Sequence, residues 1–82
     1  MSRFALQWLV PGPSGRLTHV MLLDKERPAP YVVTAGHGAD KSQALRNLWV
    51  TLIETHALPD VIDYVAVEYT RRTGKAPGNA AD

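Results

Sequence analysis

Few residues in this chain are of types that do chemistry, and they are scattered. The three histidines are His19, His37 and His56. Their spacing fits no metal-binding pattern, and no cysteine stands beside them as a thiolate ligand. Histidines so far apart meet only if the fold brings them together. A strand surface, a turn and a helix end are their ordinary places. His37 lies between Gly36 and Gly38. Glycines ahead of a helix can cradle a phosphate, because backbone N–H groups there point at the anion. The dinucleotide fingerprint needs a third glycine where Lys41 stands, and no Walker A pattern is present. Asp40 would repel an anion at this helix start. The two glycines therefore read as a turn into a capped helix.

The remaining candidates have equally plain readings. Ser2, Ser14 and Ser42 fall in no nucleophile-elbow pattern, so a Ser–His–Asp centre has no positive support. Asp60 and Asp63 are close enough for paired acid–base work, but helix capping or a solvated loop explains them too. Arg71, Arg72 and Lys75 form a small basic cluster that can meet phosphates or end a helix in solvent. Trp8 and Trp49 sit on apolar faces, as core anchors rather than base-stacking platforms.

The elements that would hold these residues follow from periodicity. RFALQWLV (residues 3–10) alternates, with Phe4, Leu6, Trp8 and Val10 on one side, and reads as a strand. PGPSG ends it in a turn. RLTHVMLLD (16–24) is a second strand whose apolar run suggests cover on both faces. After the charged, proline-rich DKERPAP, the β-branched YVVTA (31–35) is a third strand. Asp40 and Gln43 have capping-box spacing. Leu45, Leu48, Trp49, Leu52 and Ile53 then form one apolar helical stripe. Pro59 stops that helix, with His56 in its last turn, where the dipole favours a cation. Residues 60–72 admit two readings. As a strand, Val65, Val67 and Tyr69 alternate with polar neighbours. As a helix, Asp60 caps the start, Arg71 and Arg72 suit the C-terminal dipole, and Gly74 is a stop. The Val and Tyr content favours the strand.

With 82 residues, the chain is one domain, burying only about 60% of its unfolded surface, and oligomerisation commonly offsets so small a core. Nine basic residues nearly balance eight acidic ones, for a net charge of +1. That global field gives nucleic-acid binding no support. FALQWLV is too short and polar for a signal peptide or membrane span, so a cytoplasmic protein without membrane contact is expected.

The stretch GADKSQALRNL, residues 38–48, resembles the signature of the HicB-type antitoxin superfamily. In that family a third strand ends in glycine, a small polar cap follows, and a helix with an E-E-A-L-x-N-like start begins. Gly38 and Asp40 take the first two roles, and Ala44, Leu45 and Asn47 match A-L-x-N. Ser42 and Gln43 replace the acidic pair. The order strand–strand–strand–helix, with a last strand at 64–70, is also similar. DKERPAP departs from the family's usual P-D-L-P-G connection, and a separate DNA-binding segment has no room.

The resemblance implies a fold that grips a toxin-like protein or self-associates, with no catalytic residue and no cofactor or metal. The double-stranded RNA-binding domain is also similar in running three strands into a helix through G-x-G-x-S-K-K-x-A-K. Gly36, Gly38, Lys41 and Ala44 match it. Asp40, Ser42 and Leu45 stand where its serine and later lysines would be, which removes much of its phosphate clamp.

The expectation is thus an α+β domain over residues 1–72, β-β-β-α-β in order, with a disordered tail at 73–82. Its expected role is a non-enzymatic interaction domain that forms a homo-oligomer through the sheet. The alternative is a nucleic-acid-binding module using His37, Lys41, Arg46, Arg71 and Arg72. A helix at 60–72 would instead shield part of the second sheet face.

Overall fold

The computed structural model describes residues 3–9, 17–26 and 32–79. Strands β1 (Phe4–Leu9), β2 (Thr18–Asp24) and β3 (Val32–Gly38) form an antiparallel meander in the order β1-β2-β3. Helices α1 (Lys41–Glu54) and α2 (Pro59–Thr73) follow, then a 3-10 turn at Pro77–Asn79. The α+β class and the strand–strand–strand–helix order are as expected. The fourth strand is not: residues 60–72 lie within α2.

Tertiary packing overrides local preference in α2. Val61, Val65 and Tyr69 recur every four residues and are all buried. That stripe fills the core, whereas strand alternation would have grouped Val65 and Tyr69 with Val67, which is exposed. The end signals also serve a helix. Pro59 occupies the first turn, where its missing N–H costs nothing. Asp60 lies in that turn, and its Oδ1 accepts the Val61 N–H at 2.9 Å. Arg71 and Arg72 occupy the last turn, and Gly74 closes it in the left-handed region at φ 77°.

Pro59 therefore starts α2 as well as limiting α1. Between the helices, His56 takes φ 57°. Its N–H donates to the Ile53 carbonyl, and the Ala57 N–H donates to the Leu52 carbonyl. This is a Schellman closure with histidine in the position that glycine usually fills. His56 is thus past the last turn of α1, which contains no basic residue.

Both helices pack on one face of the sheet. The core joins Phe4, Val20 and Leu22 from the strands to Leu45, Leu48 and Leu52 of α1 and Val61, Val65 and Tyr69 of α2. α1 lies against β3 and β2. α2 reaches β1, with the Phe4 and Tyr64 ring centroids 5.5 Å apart. Partial burial, and then the nearby Glu68 carboxylate, raise the pKa of the Tyr64 phenol above its ordinary value. At the far end of the sheet the Arg3 guanidinium grips buried Asp24 through two 2.9 Å hydrogen bonds. The expected tail begins at residue 73, yet Thr73 closes α2 and Pro77 is buried in the terminal turn. Residues 80–82 lie outside the described residues.

The start of α1 shows the Asp40 cap foreseen from its spacing, with Gln43 reaching back to Ala39, one residue before the position a capping box engages. Asp40 Oδ1 accepts the Gln43 N–H at 2.8 Å, and Gln43 Oε1 accepts the Ala39 N–H at 2.7 Å. Removing the carboxylate leaves a helix N–H without its partner. Asp40→Ala should lower unfolding free energy by about 1 kcal/mol. Thermal denaturation should show a loss of roughly 4–8 °C.

Candidate functional site

The glycine–histidine–glycine stretch belongs to β3, not to a turn. Gly36 and Gly38 are buried on the helix side and His37 is exposed on the other. A Cβ on Gly36 would lie 2.7 Å from the Ala44 carbonyl oxygen and 2.8 Å from both the Leu48 N and Cβ. A Cβ on Gly38 would lie 2.7 Å from the Ala44 N. The glycines are there so that α1 can lie directly on β3. Asn47 strengthens the contact: its Nδ2 donates to the His37 carbonyl at 2.7 Å. Ala44, Leu45 and Asn47 thus all serve the joint between helix and strand, Ala44 and Leu45 by burial and Asn47 by this hydrogen bond.

With both helices on one side, no described element covers the other face of the sheet. Cross-strand register arranges that face in rows. Leu9, His19 and His37 form one, and Gln7, Met21 and Ala35 the next. Ala5, Leu23 and Val32 form the third, beside a register shift at Leu22/Leu23. Val33, next to that shift, packs against the core. No Asp, Glu, Lys or Arg occurs in these rows. An antiparallel sheet face bathed in water ordinarily carries polar residues. Here Leu9 is 51% exposed and Val32 39%. A helix at 60–72 could have shielded part of this surface, but α2 lies on the opposite face beside α1.

The five residues proposed for nucleic acid are divided among several places. His37 stands on the bare face opposite His19, with ring centroids 5.7 Å apart. Lys41 and Arg72 approach the Trp8 ring, Nζ at 5.4 Å and Cζ at 5.1 Å from its centroid. This tethers the start of α1 and the end of α2 to β1. Arg71 Nη1 donates to Glu68 at 2.9 Å. Arg46 is half-buried, its Nε enclosed without a hydrogen-bond partner among the described residues. The paired acids also serve separate purposes. Asp60 lies 3.9 Å from Arg3, while Asp63 lines an open groove of about 530 Å³ between α2 and the terminal turn.

Sequence reasoning pointed to a second sheet face in need of cover but missed the His19–His37 pairing on it. Alternation in β2 and β3 does place each histidine outward. Only the strand register, which no local pattern reveals, makes them neighbours. Among the described residues no group of three or more histidine, cysteine or acidic side chains is placed to hold a metal ion. No helix among them is long and apolar enough to cross a membrane.

Among the described residues, fold and site together define a two-layer α+β domain whose second sheet face carries no Asp, Glu, Lys or Arg and no covering element. Compared with protein-family models, curated proteins and solved structures, the chain matches none.

Proposed function

We propose that this chain is a small non-enzymatic interaction domain that self-associates through the open face of its sheet. The rows that hold Leu9, Met21 and Leu23, with no described element over them and no formal charge among their described residues, carry this reading. The resemblance of residues 38–48 to HicB-type antitoxins supports it and adds a toxin-like protein as a second kind of partner. The second helix in place of the last strand departs from the layout that resemblance implies.

Size sets the expected strength. Three strands about 4.8 Å apart and roughly 20 Å long give a planar footprint near 300 Å². Stable complexes bury about 800 Å² a side. Face-to-face pairing alone should therefore be weak and concentration-dependent. Sedimentation velocity across the micromolar to millimolar range should show a monomer–dimer equilibrium.

Met21, central on the face, is the position to test. Met21→Glu would bury a carboxylate in each half of the contact and weaken the dimer by about tenfold or more. Circular dichroism should show the fold retained. A chain that stays monomeric throughout, or a dimer that tolerates Met21→Glu, overturns the reading.

A further inference from the structure

His19 and His37 are direct cross-strand partners on the bare face, both exposed, with ring centroids 5.7 Å apart and planes tilted by 35°. No hydrogen bond engages either imidazole among the described residues. Two imidazoles sharing a tetrahedral zinc ion hold their nitrogens about 2.0–2.1 Å from it, which sets ring centres roughly 5 Å apart. The observed centroid separation of 5.7 Å is within an ångström of that value. Imidazole suits zinc, copper and nickel, whereas calcium and magnesium need oxygen donors. The described rows of this face contain no carboxylate.

One chain supplies two ligands, and tetrahedral zinc takes four. Self-association offers the other two. A two-fold axis running along the strands, between β2 and β3, lays one sheet on the other and sets histidine pair against histidine pair. Stacked sheets lie about 10 Å apart, so a metal midway is about 5 Å from each, within reach of an imidazole. The bridge would also add the affinity that so small a face lacks.

We propose that His19 and His37 form a two-imidazole clamp for zinc, completed by the same pair of a second copy. The clamp is a property of one chain, while its completion rests on the self-association reading above.

Zinc is titrated into tag-free, chelator-treated protein by calorimetry, and sedimentation velocity is run in zinc and in EDTA. The expected result is about one zinc per two chains and a dimer tighter by at least about tenfold in zinc. His19→Ala and His37→Ala should each abolish both effects, while His56→Ala should change neither. Zinc binding that is absent, or that survives both His19→Ala and His37→Ala, overturns the clamp. A dimer in EDTA that neither zinc nor His19→Ala alters also overturns the clamp, yet leaves self-association standing. A chain that binds one zinc through both histidines but stays monomeric supports the clamp and overturns the shared bridge, and self-association with it.

Discussion

Gly36→Ala should destabilise the domain by about 3 kcal/mol or more, well above a routine surface change. The added methyl would meet the Ala44 carbonyl oxygen at 2.7 Å and the Leu48 N and Cβ at 2.8 Å. None of these atoms is the end of a flexible side chain, so relief requires α1 to move off β3. That movement would loosen the packing of Leu45 and Leu48, both buried in the core. A domain with about 5–15 kcal/mol of total stability loses a large part of it. For this chain length the melting temperature should fall by roughly 12–24 °C. Urea denaturation of Gly36→Ala beside the parent chain measures the difference. A change within about 0.5 kcal/mol, the range of an ordinary surface substitution, would show that the helix is not held this close.

The same glycines show where sequence reasoning reaches and where it stops. Residues 36–38 look like punctuation, and Gly is ambiguous between a turn and a close approach. Nothing local distinguishes the two, because the partner backbone belongs to another element. α1 was readable, since Leu45, Leu48 and Leu52 recur with helical spacing and the Asp40 cap marks its start. The stripe is narrower than expected, with Trp49 half-buried and Ile53 42% exposed.

The 60–72 segment misled through composition. Its valines and tyrosines favour strands only where cross-strand neighbours await them, and here α1 and β1 offered a helical groove. The end signals at Pro59, Asp60 and Gly74 were the better guide. They reflect backbone hydrogen bonding, which changes less with surroundings than side-chain preference does. The His19–His37 pairing was out of reach. It depends on the length of the β2–β3 connection and on the shift at Leu22/Leu23. A one-residue slip would have turned one ring to the opposite side.

Leu48→Ala tests the same joint from the helix. Leu48 is fully buried and lies opposite Gly36, so truncation removes apolar contact and leaves a cavity that rigid neighbours cannot fill. A loss of about 3–4 kcal/mol is expected, read from chemical denaturation. Combining it with Gly36→Ala separates two accounts of the close approach. If the leucine's outer methyl groups set the spacing, shortening them would make room for the new methyl and the double variant would recover stability. The atoms nearest the added Cβ are the Leu48 N and Cβ, which alanine keeps. The double variant should therefore lose more than either single one, and recovery would refute the backbone account. The summed loss approaches the whole stability of such a domain, so the double variant needs a stabilising osmolyte to be measured. Met21→Glu provides the contrast. It changes the opposite face of the same sheet and should shift the dimer while leaving monomer unfolding within about 0.5 kcal/mol. On the proposed reading, folding is held by the helix-bearing side, and association is left to the bare one.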